Sequence, residues 1–184
     1  MNDRHLIQAC QEGDRTAFRT LFDTYKDQVH SIALNFCADQ SMAQDITQEV
    51  FVKLFQTVDQ FRHQASFTTW LYRIVVNTCL NEQRRRKRFV PFISALRQPA
   101  PETQACPETN YKRRQMTQAV QSAVAALKAD LRIPLLLRYM EGLSYAEISE
   151  VLDWPIGTVS SRLNRAHKIL GKKLSCFRGE LERK

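Results

Sequence analysis

The chain has 184 residues, which allows one medium domain or two small ones. At 43% hydrophobic and 9% aromatic it has enough apolar material for a core, which excludes wholesale disorder. The formal charge of +8 and a pI near 9.5 suit a polyanionic partner, either nucleic acid or a membrane surface.

The charge is unevenly spread. Residues 1–88 hold 12 basic and 10 acidic side chains, whereas residues 114–184 hold 12 and 7. Glycine is absent between Gly13 and Gly142, and no run of alternating β-branched residues occurs there, so an all-α fold is expected. Cys10, Cys37, Cys79, Cys106 and Cys176 are odd in number and form no C-x-x-C pair. That spacing gives neither a zinc site nor a disulfide framework, and suits a cytoplasmic chain with reduced thiols. No apolar targeting segment and no run of 18 apolar residues is present.

In chain order, residues 4–12 read as a short helix closed near Gly13, with Asp14 or Thr16 capping the next. That second helix carries Phe18, Leu21, Phe22, Tyr25, Val29, Ile32, Ala33 and Phe36 as core. After a break at 38–41, Asp39 or Ser41 caps a helix to about Val58, with Ile46, Val50, Leu54 and Phe55 as its buried stripe. Its outer side holds Asp45, Gln48, Glu49 and Lys53; on composition alone this acid–amide cluster reads as a solvated face.

Residues 59–68 form a polar loop holding Phe61 and Phe67, rings that either fold back on the core or serve as wedges for bases. A helix from about Thr68 to Arg86 follows. At 100° per residue, Arg73, Asn77, Asn81 and Arg84 fall within about 60° of Trp70. Leu71, Ile74, Val75 and Thr78 take the inward face, and the helix runs into the basic cluster 84–88. Aromatic rings stack on unpaired bases, amides bond base edges and cations hold phosphates, so this ladder suits single-stranded nucleic acid.

Residues 89–112 hold four of the six prolines and no periodicity, which predicts a linker between two helical modules. The second module, 113–184, opens with Met116, Val120, Val124 and Leu127 at helical spacing. A helix over 131–140 follows, with Pro134 in its first turn. Ser144 and Glu147 form a capping-box pattern for a helix to Leu152, and Pro155 suits the first turn of the last helix. That helix buries Val159, Leu163, Ala166 and Leu170. It turns Ser160, Ser161, Asn164, Arg165 and Lys168 outward, with no acid from 155 to 178. This is a helix-turn-helix pattern with side chains suited to major-groove edges. The four histidines are dispersed, and no phosphate loop, nucleophile elbow or metal pattern appears, so no enzyme and no cofactor are expected.

Taken together, the segments 45–51, 67–74 with Asn77, 142–148 and 155–162 resemble the extracytoplasmic function (ECF) sigma factors of bacterial RNA polymerase. The resemblance covers nearly the whole chain: region 2 over 1–88, the linker, and region 4 over 113–184. It implies two small helical domains, core polymerase (β′ and β subunits) and promoter DNA as partners, an anti-sigma factor, and a monomer when free. A membrane would be reached only through that anti-sigma partner. The resemblance puts Asp45, Gln48, Glu49 and Phe51 on the polymerase-docking helix. It puts the loop from Phe61 to Phe67 at the −10 element, with a base flipped into it, and Asn77 facing the same element; the ladder residues Trp70, Arg73, Asn81 and Arg84 are expected on the same strand. Arg138, Thr158, Ser160, Ser161, Arg162, Asn164, Arg165 and Lys168 fall at the −35 element. Many members carry a basic residue in place of Ser160 and a larger one in place of Asn164, so −35 base preference is not implied. The competing reading is a dimeric helix-turn-helix regulator, which leaves the Trp70–Arg84 ladder without a role.

Overall fold

Helices begin where the chain supplies a cap. In the computed structural model, which describes residues 3–89 and 108–175, α1 (Asp3–Gln11) ends at Gly13, whose φ of +88° favours glycine. Helix α2 (Arg15–Cys37) starts on Asp14, whose carboxylate accepts from the amides of Thr16 (2.7 Å) and Ala17 (3.2 Å). Helix α3 (Gln40–Thr57) starts on Asp39, which accepts from the Met42 amide at 2.9 Å. A short 3-10 turn over Val58–Gln60 leads to the 61–66 loop. Helix α4 (Phe67–Phe89) follows, with Ser66 Oγ accepting from the Thr69 amide.

Among the described residues the structure is all-helical. The proposed linker core, residues 90–107, lies outside the described residues, and helices occupy both of its expected ends: α4 continues to Phe89 and α5 spans Glu108–Ala125. Helix α6 (Ala129–Tyr139) starts two residues earlier than expected, so Pro134 sits in its second turn. There proline removes one intrahelical bond and frees the Asp130 carbonyl, which instead lies 3.5 Å from Arg162 Nη1. Helix α7 (Tyr145–Leu152) has the full capping box: the Ser144 amide donates to Glu147 Oε2 (2.7 Å) and the Glu147 amide to Ser144 Oγ (3.2 Å). It closes on Asp153 in the left-handed region, and α8 (Ile156–Lys173) follows with Pro155 as its N-cap.

Helices α1–α4 enclose Leu21, Val29, Ile46, Val50, Leu54, Leu71 and Val75; α6–α8 enclose Leu137, Ile148, Val159 and Leu163. The two sets share one continuous apolar cluster, because α2 and α4 also pack on α5, α6 and α7. Two expectations fail: Phe22, assigned to the core of α2, is 37% exposed, and Phe55, assigned to the buried stripe of α3, is 61% exposed. The Phe55 ring leans edge-on against Phe18 at the margin of the bundle, one residue around the helix from buried Leu54.

Candidate nucleic-acid interface

The ladder on α4 is real as a surface. Arg73, Asn77, Asn81 and Arg84 are exposed, while Leu71, Val75 and Thr78 on the opposite side are buried. Trp70 is half-buried and sits at 5.2 Å from the Phe61 ring and 5.9 Å from Phe67. Phe61 and Phe67 are themselves buried, so of the two readings of these rings the structure takes the inward one. They make an aromatic floor under a loop whose Arg62, His63 and Gln64 are exposed. His63 holds a φ of +56°, uncommon outside glycine, and lies edge-on to Phe61 at 4.7 Å. The loop is tied down from behind, where Gln11 Nε2 donates to the carbonyls of Val58 and Phe61, each at 3.0 Å.

Of the basic cluster at the end of α4, Arg85 and Arg86 both engage Glu82, at 2.9 and 3.6 Å. Arg73 donates from Nε to the Glu150 carbonyl of α7 at 2.9 Å. Asn77 and Arg84 line an open cleft of about 690 Å³ whose opposite wall includes Lys128, Asp130, Leu152 and Trp154.

The helix-turn-helix is formed by α7, the turn at 153–155 and α8. Ser160, Ser161, Asn164, Arg165 and Lys168 are exposed along α8, and Thr158 is half-buried. Ser161 Oγ donates back to the Thr158 carbonyl. Arg162 is held away from that face: it stacks 4.1 Å from the Trp154 ring and pairs with Asp130 at 3.2 Å. Arg138 is exposed at the end of α6, donating to the Leu143 carbonyl at 2.8 Å and lying over Tyr145.

On α3, Asp45, Gln48 and Glu49 line one exposed edge, and Glu49 pairs with Lys53 at 2.6 Å. Phe51 is buried against Phe22, so it supports that edge from beneath. Val52 (55% exposed) and Phe55 extend the same edge as an apolar patch, which helical periodicity from Gln48 would have placed there. Burial pushes the thiols of Cys10, Cys37 and Cys79 up, that of Cys79 to about 12, which makes them poor nucleophiles. Among the described residues no cluster of three or more His, Cys, Asp or Glu side chains could hold a metal, and no helix is long and apolar enough to cross a membrane.

The family models for sigma-70 region 2 and sigma-70 region 4 match residues 21–89 and 117–170. The chain belongs to the ECF sigma factors. It is 34% identical to the RNA polymerase sigma-H factor of Pseudomonas aeruginosa, over 94% of this chain and 93% of that one. It is 33% identical to the ECF RNA polymerase sigma-E factor of Escherichia coli, over 95% of each. The fold is similar to that of CnrH in complex with the cytosolic domain of CnrY, with a TM-score of 0.71 at 23% identity over 95% of this chain and 97% of that one. It is also similar to the sigma factor RpoE of Bartonella quintana in complex with the anti-sigma factor NepR (TM-score 0.66, 23% identity, 86% and 96% covered). As an ECF sigma factor the chain is a non-catalytic RNA polymerase subunit acting in transcription initiation. The match to region 2 sets the dimeric-regulator reading aside, since that reading had no use for α4.

Proposed function

We propose that α3 docks this sigma factor on core polymerase, that α4 with the 61–66 loop holds the melted −10 strand, and that α8 reads the −35 element. The carrying observation is the α4 face: four polar or cationic side chains, Arg73, Asn77, Asn81 and Arg84, rise in register beside Trp70 and the Phe61–Phe67 floor. Unpaired bases need a π-surface, edge partners and phosphate partners within one strand's reach, and this face supplies all three. A base extruded from the duplex would sit in the loop, over buried rings and between the exposed Arg62, His63 and Gln64.

On α8, Asn164 and Arg165 are the side chains with base-edge chemistry, and Lys168 and Arg138 serve phosphates. Arg162 acts through Trp154 and Asp130, steadying the turn that aims α8. On α3, Asp45, Gln48 and Glu49 meet a basic polymerase helix, with Val52 and Phe55 supplying apolar area. The partners are thus core polymerase, promoter DNA and, by analogy with the bound relatives, an anti-sigma factor that covers these faces. The protein works as a monomer in the cytoplasm. In vitro transcription with purified core polymerase and a pooled genomic promoter library tests the reading. Discrete new transcripts sharing spaced −35 and −10 motifs are expected; unchanged start sites with polymerase bound would overturn the promoter-reading roles.

A further inference from the structure

Helix α1 reaches the entrance of the 61–66 loop, although the match to region 2 begins only at residue 21. Its sequence explains how. Ile7, Cys10 and Gln11 stand at i, i+3 and i+4, on one face of a helix. Ile7 and Cys10 are buried in the core, and Gln11 beside them is half-buried. The helix closes directly after Gln11 in a Schellman turn. There the Gly13 amide donates to the Cys10 carbonyl (3.1 Å) and the Asp14 amide to the Ala9 carbonyl (3.0 Å). With that end closed, the backbone of Gln11 is fixed.

The Gln11 side chain is committed to the loop. Its Nε2 carries two hydrogens, and it donates to two carbonyls, those of Val58 and Phe61, each at 3.0 Å. Phe61 follows the 3-10 turn, where backbone acceptors run out of partners within the turn, so Gln11 supplies from another helix what the turn lacks. At the far end of the loop Ser66 Oγ accepts from the Thr69 amide at 3.1 Å and bonds the hydroxyls of Thr68 and Thr69. Both ends are thus pinned. Between them the side chains of Arg62, His63 and Gln64 are exposed, and among the described residues no hydrogen bond or ion pair engages them.

His63 shows what the pinning does. Its φ of +56° lies in the left-handed region, which a residue with a Cβ adopts only at a cost in free energy. A loop free to relax would leave that region; one fixed at Phe61 and Ser66 keeps it. The imidazole consequently stands edge-on to the Phe61 ring at 4.7 Å, as a side wall to the aromatic floor.

We propose that Gln11 is the positioning residue of the base pocket: from α1 it fixes the Phe61 backbone, and so holds His63 in its left-handed conformation beside the floor. An extruded base then meets a formed pocket and does not have to order the loop on arrival. The role in promoter opening rests on the −10 reading of the loop given above; the positioning rests on the geometry alone.

Two variants test it in the full-length protein. Gln11→Glu keeps the length of the side chain but sets acceptors against acceptors, and Gln11→Asn keeps the donors one methylene short. In hydrogen exchange of the free protein, the Phe61 amide, which donates to the Val58 carbonyl at 3.2 Å, should exchange about ten-fold faster in either variant, with α3 and α8 unchanged. Unchanged exchange at Phe61 would overturn the positioning whatever DNA does. With core polymerase, on a promoter identified by the transcription experiment, both variants should open DNA about ten-fold more slowly than the wild type by permanganate reactivity, with polymerase affinity held. An abasic site is then walked through the −10 non-template strand. Where it removes the captured base, the wild type should slow about ten-fold and the variants no further, so that all three converge. A deficit that persists undiminished on that template would make Gln11 a general structural support and overturn the proposal, as would variants that open the intact promoter like the wild type. If no abasic position slows the wild type, the base-capture reading itself has failed, a result distinct from either of these.

Discussion

Helices α4 and α8 are built alike: each buries an apolar stripe and carries Asn and Arg on the far side, but α8 offers that side to open solvent while α4 turns it toward α6 and α7. The difference bears on what each is proposed to bind. A duplex reader meets a partner that is always present in finished form. A reader of melted DNA meets its partner only after polymerase has opened the promoter, and an exposed stacking and cationic face would meanwhile collect any single strand. The α4 side chains stay exposed but border the cleft under α6 and α7, and Arg73 is already bonded to α7.

The comparison breaks first at the core. Leu71 of α4 and Leu163 of α8 are both fully buried in one apolar cluster. Leu71→Ala or Leu163→Ala should each cost about 3 kcal/mol, lowering the melting temperature by roughly 6–12 °C. Because the two regions share that cluster, calorimetry should show a single transition that shifts in either variant. Two transitions, each answering to only one substitution, would mean that the regions fold independently.

A functional split comes next. Trp70→Ala or Asn77→Ala should reduce promoter opening, followed by permanganate reactivity, about ten-fold while polymerase affinity holds. Glu49→Ala should do the reverse, weakening polymerase binding through loss of an exposed side chain that pairs with Lys53. Equal losses in both assays would dissolve the division of labour between α3 and α4.

Much of this was legible before any coordinates. Caps at Asp14, Asp39 and Ser144 and the stripes of α2, α4 and α8 are local, one-helix properties, and they appear where the residues put them. What stayed hidden depends on partners far along the chain. Phe55 looks like core by period, but no facing helix reaches it. Arg162 carries only its charge as a signal, whereas its contacts come from elsewhere in the chain: Pro134 frees a carbonyl on α6 and Trp154 offers a ring, and Arg162 engages both. Arg132, stacked on Phe36, and Glu141, bonded to Gln28 and Tyr72, carried no signal at all, because those partners are brought to them only by the fold.

The α8 side of the comparison sharpens at the level of single bases. Arg165→Ala should cost about 1–3 kcal/mol of discrimination at one −35 position, while Lys168→Ala should weaken all sequences alike and reduce the salt slope by about one. Arg162→Ala should leave base preference as it was and lower only the stability of the helix-turn-helix. Binding of holoenzyme to promoter variants at several salt concentrations separates these outcomes; a changed base preference on losing Arg162 would return it to the reading face.

The smallest effect concerns how α8 is aimed. Its platform, α7, depends on the capping box, and Ser144→Ala should cost about 1 kcal/mol. Bonds from the Ser144 amide and hydroxyl hold the Glu147 carboxyl below its ordinary value of 4.5. A lowered folded-state value means that the ionised form is the one the fold prefers. The stabilisation is therefore full above that ordinary value and drains away as the pH falls below it through the folded value. Glu147→Gln keeps an acceptor oxygen for the Ser144 amide but cannot ionise. Melting curves of the two proteins should lie apart near neutrality, with the Glu147 form higher, and converge in acid. Parallel curves would show that the cap holds by shape alone. Either way α4, whose N-terminus is capped by the uncharged Ser66, should not respond.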